Sequence, residues 1–165
     1  MQIIGGEKKG HRLFGPGPKE IRPMRHLVRK ATFDILQNVV EDSRFLDLFS
    51  GTGSIGLEAL SRGARHATFV DNLPEAIKLI GKNIEKLGYE DRTSLLEMDV
   101  DDALDKFASR DRRFDIVFVG PPYKEGLTTT TLEQLQGTNI VRRWGIVAAE
   151  IFCKTELPDK FSKLE

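Results

Sequence analysis

The sequence contains a single cysteine, Cys153, among 165 residues. One cysteine excludes an internal disulfide framework and a cysteine-rich zinc site. An N-terminal apolar stretch of signal-peptide or transmembrane length is also missing. We therefore expect a cytoplasmic protein in which Cys153 is a small buried residue of the apolar run 146–152. The few histidines predict no metal site either, and His66 resembles a surface turn residue.

The chain also lacks a net charge, since 25 Lys and Arg residues balance 25 Asp and Glu residues. This balance hides an asymmetry, because residues 1–30 carry eight basic and only two acidic side chains. A basic end beside an acidic body is typical of nucleic-acid binding, although a solvated basic arm would have the same composition. The predicted RNA contacts are Lys8, Lys9, Arg12, Arg22, Arg25 and Arg29.

The length allows one substantial core but hardly two. Residues 1–14 predict a small hairpin, and the Gly-Pro repeat at 15–18 interrupts any regular structure. We therefore predict a basic arm over residues 1–20 and one domain over residues 21–165. In the domain, residues 25–40 predict a helix whose buried stripe has apolar residues at helical spacing. Its main members are Val28, Ala31, Ile35 and Val39, and the residues that widen it are Leu27, Leu36 and Val40.

The rest of the domain alternates short apolar runs with helical patterns. Strands are predicted at 45–49, 67–70, 94–98, 114–119 and 145–152, and helices at 55–61, 74–87 and 101–107. This order predicts an α/β fold, a Rossmann-like and mainly parallel sheet with helices on both faces. The threonine run at 128–131 predicts a loop or the start of a helix.

A glycine-rich loop follows the first predicted strand. Residues 51–56 read G-x-G-x-x-G, and Asp71 ends the next strand 20 residues after Gly51. Such glycines allow a tight turn, and the acid accepts hydrogen bonds from ribose hydroxyls. A dinucleotide fits these features as well, but Asp47 would repel its pyrophosphate. S-adenosylmethionine carries an ammonium and a sulfonium instead, so Asp47 favours it, unless that side chain only caps the loop.

A second loop follows the fourth predicted strand and reads Gly120-Pro121-Pro122-Tyr123. Ligands bind beyond the carboxyl ends of the strands in such sheets, so this loop should lie beside the glycine loop. Prolines leave backbone carbonyls free to accept from an exocyclic amino group. Tyr123 offers a flat face for a flipped-out base. Taken alone, the loop is more typical of an ordinary Pro-Pro strand terminator with a packed tyrosine, and its pairing with the glycine loop favours the functional interpretation.

Several of these segments together resemble the RsmD-like methyltransferase family. They are residues 1–10, 21–23, 28–36, 47–64 and 118–123. The resemblance implies transfer of a methyl group from S-adenosylmethionine to the exocyclic amino group of a guanine in bacterial 16S ribosomal RNA. It implies a catalytic loop at Gly120, Pro121, Pro122 and Tyr123, with no metal. The implied cofactor contacts are Asp47, Phe49, Gly51, Thr52, Gly53, Gly56, Asp71, Asn72, Asp99 and Val100. Topology also places Asp99 to accept from the adenine amino group while Val100 offers its backbone N–H, although an Asp before a helix is more often simply an N-cap.

The sequence departs from this family at two places. The family has Asp where this chain has Gly120, so a side-chain acceptor for the target amino group is missing. The family sheet has seven strands, and the short segment after residue 152 predicts truncated C-terminal strands. We expect a monomer bound to ribosomal RNA or an assembling small subunit, with a dimer through the exposed sheet edge as the alternative.

Three other functions remain open at this point. The first is a cofactor- and RNA-binding protein with weak or no catalysis, favoured by Gly120. The second is methylation of adenine in DNA or of a protein glutamine, since related Asn-Pro-Pro-Tyr loops serve both. A dinucleotide oxidoreductase comes third, because Asp47 disfavours it.

Overall fold

A computed structural model describes residues 1–16, 26–122 and 126–151. Helices and strands alternate along these residues after a first helix. In chain order they are α1 (His26–Leu36), β1 (Arg44–Leu48), α2 (Ser54–Ser61), β2 (His66–Asp71), α3 (Pro74–Leu87), β3 (Thr93–Glu97), α4 (Val100–Ser109), β4 (Phe114–Val119), α5 (Leu127–Gly137) and β5 (Val141–Ala149). A short 3₁₀ turn, Glu90–Arg92, precedes β3.

The strands form one sheet in the order β3-β2-β1-β4-β5, and every neighbouring pair is parallel. The chain leaves β1 toward β2 on one side and later returns to β4 on the other. A crevice therefore opens at the carboxyl ends of β1 and β4, which is where such sheets bind ligands. The predicted Rossmann-like fold is confirmed.

Helices cover both faces of the sheet. On one face, α1, α2 and α3 bury a core that includes Phe33, Leu57 and Ile80 against Phe45 and Phe69 of the sheet. On the other face, α4 and α5 bury a second core, whose main members are Leu104, Phe107, Leu132, Leu135 and Val117. Because both faces are covered, β1 and β4 are mostly apolar, with Arg44, Asp47 and Asp115 as their polar residues.

The sequence signals for α3 are confirmed at both ends. Pro74 is its first residue, and Gly88 follows its last residue with a left-handed φ of 72°. Helix α5 is longer than the threonine run suggested. Thr128 and Thr131 are buried, and the Thr131 hydroxyl donates to the carbonyl of Leu127 within the helix. That bond satisfies a polar group which would otherwise oppose burial.

The predicted buried face of α1 is mostly wrong, since only Leu36 and Val40 of its predicted residues are buried. The helix buries Arg29, Phe33 and Leu36, while Leu27 and Ile35 are 75% and 79% exposed. Both stripes have helical spacing, so apolar periodicity alone favoured the wrong one. Arg29 explains the error, because its long apolar stem packs inside although its head is charged.

Strand β5 begins earlier than predicted and contains an irregularity. Between its pairs Phe114↔Val141 and Ile116↔Ile146, the register shifts. Trp144 lies in this bulge with a left-handed φ of 68° and is 88% exposed. Polar residues at its start hid the strand from the apolar pattern. No helix in the described ranges is long and apolar enough to cross a membrane.

The N-terminal residues form a hairpin around one antiparallel bridge between Gln2 and Arg12. Its apolar residues, Ile3 and Leu13, are buried in the first core. Helix α2 holds it by polar contacts: Glu58 accepts from the Ile4 amide at 2.8 Å, and the Ser61 hydroxyl donates to the Gly5 carbonyl at 2.6 Å. The hairpin is therefore fixed against the body of the protein.

Candidate functional site

The glycine loop joins the end of β1 to the start of α2. Gly53, the N-cap of α2, has a φ of 70°, a conformation that disfavours residues with a Cβ. Gly56 is required for another reason, since a Cβ there would lie 2.3 Å from the ring of Phe69. Its absence lets α2 approach the sheet closely. The loop is thus shaped by backbone conformation at one glycine and by packing at the other.

Asp47 lies beneath this loop at the end of β1 and is 2% exposed. Its Oδ2 accepts a hydrogen bond from the Gly56 amide at 3.0 Å. Burial raises the pKa of Asp47 to about 8, the Gly56 bond opposes this shift, and the charge of Asp71 adds to it. The carboxyl group therefore caps the turn, as one interpretation of the sequence held, and it is also poised to lose its proton near neutral pH.

Ser50 is a loop residue that the sequence analysis missed. Its hydroxyl donates to the Asp47 carbonyl at 2.6 Å and accepts from the Val70 amide at 2.9 Å. It thereby links the ends of β1 and β2 beneath the glycines. Its signal was weak, because a serine beside glycines is common in ordinary turns.

Asp71 ends β2 and holds the loop from the other side. Its Oδ2 accepts from the Gly51 amide at 2.7 Å, and its Oδ1 accepts from the Leu73 amide at 3.0 Å. Each carboxylate oxygen has two lone pairs, so one acceptor position on each remains for a ligand hydroxyl. The acid thus braces the loop while it keeps capacity to bind.

Asn72 and Asp99 meet at the ends of β2 and β3. The Asn72 amide donates to Asp99 Oδ1 at 2.7 Å, and both side chains are exposed. Asp99 occupies the N-cap position of α4, yet its side chain makes no capping bond. The adjacent Val100 is buried at the start of the helix. The structure thus brings the predicted polar contacts of β2 and β3 together at the edge of the crevice.

Phe49 and Thr52 complete the set of predicted cofactor contacts. Phe49 has a left-handed φ of 58°, which is strained for an aromatic residue and occurs where the surrounding structure imposes it. Thr52 is buried, and its hydroxyl lies 3.7 Å from the sulfur of Met1. The hairpin therefore reaches the glycine loop through Met1.

The second loop begins directly beside β1. The Gly120 amide donates to the Leu48 carbonyl at 3.3 Å, which extends the β1–β4 pairing by one bond. Pro121 is buried and Pro122 is exposed. Tyr123 lies outside the described residues. A Cβ added at Gly120 would lie 2.7 Å from Cε1 of Phe118, so any side chain there requires the ring to move.

Only part of the basic arm is exposed at the surface. Lys9 and Arg12 are exposed, and the ammonium of Lys8 lies 5.9 Å from the Tyr89 ring centroid. Arg22 and Arg25 lie outside the described residues. Among the described ranges, no group of three or more His, Cys, Asp or Glu side chains is arranged to hold a metal ion.

The structure contradicts an RNA contact by Arg29, which is only 2% exposed. Its Nη2 donates to the Gln2 carbonyl at 2.6 Å, while Nε and Nη1 have no partner among the described residues. Burial lowers the pKa of Arg29, nearby Glu58 opposes this, and Arg62 lowers it further. Arg29 therefore fastens α1 to the hairpin from inside the protein.

We expect Arg29→Ala to lower the free energy of unfolding by about 3 kcal/mol, because it removes a buried hydrogen bond and leaves Glu58 with less compensating charge. Thermal and urea unfolding would measure the loss. Lys9→Ala is the matched control, since it removes an exposed charge from the same arm and should leave stability within about 0.5 kcal/mol. An RNA affinity that falls for the folded Arg29→Ala protein but not for Lys9→Ala would contradict this assignment.

The raised pKa of Asp47 predicts a specific pH dependence of stability. The side chain of an aspartic acid in the unfolded chain has a pKa of about 3.9. Between that value and about 8, the folded protein holds a proton that the unfolded chain has lost. Stability from this group is therefore complete below about pH 4 and decreases, by at most about 1.4 kcal/mol per pH unit, as the pH rises toward the folded pKa.

We expect Asp47→Asn to remove this decrease, because an amide oxygen still accepts from Gly56 but does not titrate. Denaturant unfolding from pH 5 to 8 would compare it with the wild type. Asp101→Asn, an exposed acid at the start of α4, should keep the wild-type profile. Parallel profiles for the wild type and Asp47→Asn would refute the titration of Asp47 in this window.

Comparisons with known proteins agree with this architecture. The profile of a family described as "Conserved hypothetical protein 95" matches residues 1–165. The chain is 32% identical to "Putative rRNA methyltransferase YlbH" of Bacillus subtilis, over 99% of this chain and 89% of that protein. It is 30% identical to "Ribosomal RNA small subunit methyltransferase D" of Escherichia coli, over 96% of this chain and 78% of that protein. A solved structure, "Putative methyltransferase yhhF from Escherichia coli", has a TM-score of 0.84 at 30% identity, over 96% and 86% of the two chains.

The fold, the acid-lined glycine loop and these likenesses define a Rossmann-like methyltransferase. More specifically, the chain belongs to the RsmD-like family, as its sequence motifs predicted.

Proposed function

We propose that this protein transfers a methyl group from S-adenosylmethionine to the exocyclic amino group of a guanine in small-subunit ribosomal RNA. The observation that carries the proposal is the contact between the Gly120 amide and the Leu48 carbonyl, which joins the two loops at one crevice. The relatives' names favour ribosomal RNA as the substrate, and the family resemblance favours guanine. The same substrate favours a cytoplasmic location.

The residues around the glycine loop suit S-adenosylmethionine better than a dinucleotide. Asp71 and Asp99 make the crevice acidic, and Asp47 adds its charge once it loses its proton, which favours an ammonium and a sulfonium and opposes a pyrophosphate. S-adenosylmethionine supplies an electrophilic methyl group. Asp71 would accept the ribose hydroxyls through its free lone pairs, and Asp99 with the Val100 amide would bind the adenine. The glycines allow the backbone to lie close to the donor.

The second loop would position the acceptor base. The Pro121 carbonyl accepts an amino hydrogen, and Tyr123 stacks on the base. Such positioning holds the amino nitrogen in line with the methyl group without any metal. Lys8, Lys9 and Arg12 of the arm, together with Arg22 and Arg25 just after it, would bind the RNA backbone. The architecture would be an arm over residues 1–20 and a catalytic domain over residues 21–165.

A second function is favoured by one observation. Gly120 supplies no side-chain acceptor, so the chain would bind donor and RNA with little turnover. Calorimetry separates the two functions, since a binding protein takes up S-adenosylhomocysteine and RNA tightly without transferring methyl groups.

The direct test is transfer of tritiated methyl groups from S-adenosylmethionine to deproteinised small-subunit RNA and to small-subunit particles. We expect the labelled nucleoside, after digestion, to be N2-methylguanosine. Label found in an adenine nucleoside, or in DNA but not in RNA, would show that guanine in ribosomal RNA is not the substrate.

Tyr123→Ala should lower labelling by about 10- to 100-fold, because stacking of a base on an aromatic ring contributes roughly 1–3 kcal/mol. Tyr123→Phe is the matched control and should retain most activity, since the flat ring remains. Donor affinity should be the same for both variants. If Tyr123→Ala labels RNA as well as the wild type, this loop does not hold the base.

A further inference from the structure

A basic cleft lies at the opposite end of the sheet from the glycine loop. It is formed where β1, β2 and β4 begin, and its volume is about 440 Å³. Four arginines line it: Arg44, Arg65, Arg112 and Arg113. We call it the amino-end cleft. The net charge of the sequence did not indicate this cleft, because these arginines lie in the part of the chain whose net charge is negative.

The strand register explains why these charges converge. Arg44 opens β1 opposite His66 of β2, while Arg65 and Arg113 directly precede β2 and β4. Since β2 and β4 flank β1, these backbone positions span about 10 Å, or two strand spacings. Successive phosphates of one nucleic-acid strand advance by about 3.4 Å along the helix axis and also wind around it, so the cleft is wide enough for two of them.

The charges in the cleft are only partly neutralised. Arg113 pairs with Asp111 at 2.9 Å, and Asp91 is a lining acid. Among the described residues, no carboxylate pairs with the guanidinium of Arg44, Arg65 or Arg112. All four arginines are exposed. Unpaired guanidinium groups present planar sets of donors that fit phosphate oxygens.

Two groups on the cleft floor support an anion site. The Thr68 hydroxyl is completely buried and has no hydrogen-bond partner among the described residues. Burial lowers the pKa of His66, and the charges of Arg112 and Arg44 lower it further. Both arginines therefore act on the same imidazole ring. His66 is not the surface turn residue that the sequence suggested, since it opens β2 and its Nε2 lies 2.9 Å from the Ser94 hydroxyl.

We propose that the amino-end cleft binds backbone phosphates of the RNA substrate through Arg44, Arg65 and Arg112. This rests on the proposed function, which makes RNA the substrate. The strands separate the cleft from the methyl-transfer crevice by roughly 20 Å, the length of six residues at about 3.3 Å each. A folded RNA that presents a base at the crevice is large enough to reach around the sheet. The cleft therefore adds affinity for structured RNA without touching the target base.

The test measures RNA binding as a function of salt. Arg65→Ala/Arg112→Ala should weaken binding to small-subunit RNA by at least tenfold and should reduce the slope of log K against log salt by about 1.5, because two phosphate contacts are lost. Arg65→Lys/Arg112→Lys, which keeps the charges, should restore most of the affinity. Lys78→Ala/Lys82→Ala removes the same charge from exposed positions on α3 and should change the slope little.

Binding of S-adenosylhomocysteine shows whether the variants are folded. If Arg65→Ala/Arg112→Ala loses it, Arg44→Gln/Arg65→Gln takes its place with the same expected results. RNA affinity and slope equal to those of the wild type in a folded variant would overturn the proposal. So would a cleft that binds inorganic phosphate, seen as a thermal shift lost in the variant, while RNA affinity is unchanged. The amino-end cleft would then be a binding site for free anions and not for RNA.

The failures of the two proposals are distinguishable. If the wild type transfers no methyl group to RNA but binds it through these arginines, the proposed function fails and the cleft stands. If it labels RNA and the cleft variant binds RNA normally, the reverse holds.

Discussion

Gly120→Asp should raise methyl transfer to RNA, by about 100-fold once the new side chain fits. A conjugated amino group is a weak nucleophile, and a carboxylate beside the Pro121 carbonyl would supply the second acceptor that orients it. Adding or removing one such aligned group changes a rate by about 10²–10³. Gly120 has no left-handed φ, so its backbone tolerates a side chain. The obstacle is packing.

A Cβ at position 120 would lie 2.7 Å from the ring edge of Phe118, which is 3% exposed within the first core. Phe118→Leu removes that edge. We expect the single Gly120→Asp variant to show a partial gain of about tenfold, and the Gly120→Asp/Phe118→Leu variant the remainder, on the scale of an aligned catalytic group. Phe118→Leu alone should be slightly less stable, by about 1 kcal/mol, with no gain in rate.

Single-turnover labelling at saturating donor would measure these rates. The four proteins form a double-mutant cycle, so the coupling between positions 118 and 120 is obtained directly. Equal rates in all four would mean that position 120 plays no part in orienting the amino group, and the missing acceptor would then be irrelevant to catalysis.

Asp71→Ala should reduce donor affinity by more than about 100-fold, since it removes both the ribose acceptor and the brace of the glycine loop. The Gly51 and Leu73 amides lose their acceptor at 2.7 and 3.0 Å. Two orphaned amides should also cost about 2–4 kcal/mol of stability. Calorimetry with S-adenosylhomocysteine and thermal unfolding would measure both effects.

Glu97→Ala is the matched control for Asp71. Glu97 pairs with Asp71 in the β2–β3 register, but its side chain is exposed. It removes the same charge from the adjacent strand without disturbing the loop. Donor affinity that falls equally in both variants would show that the general negative potential, and not the hydrogen bonds of Asp71, holds the donor.

The sequence predicted most of the fold because its strongest signals are local. Residues 114–119 are apolar except for Asp115, and Pro74 and Gly88 mark helix ends by their own conformations. It failed where tertiary contacts decide. Arg29 is buried because the hairpin supplies the Gln2 carbonyl, a contact 27 residues away. Likewise, β5 contains Arg142 and Arg143, which an apolar pattern excludes from strands.

The same distinction applies to the candidate site. The glycine motif predicted the donor loop, because the backbone conformation and the spacing of this loop depend on residues that are adjacent in the sequence. Ser50 and the amino-end cleft were missed, since each depends on residues that only the sheet brings together. The role of Phe118 beside Gly120 was missed for a similar reason, because residues two apart on a strand share a face, but how closely they approach depends on the packing of the Phe118 ring in the core.

Helix α2 is only about 12 Å long, at eight residues and 1.5 Å each, yet its two ends support different parts of the candidate site. Its first turn carries the glycine loop, and its last turns hold the hairpin through Glu58 and Ser61. A substitution that loosens the hairpin will therefore disturb the donor loop as well. Reduced RNA binding by an arm variant is evidence of lost charge only if its affinity for S-adenosylhomocysteine is measured alongside and found intact.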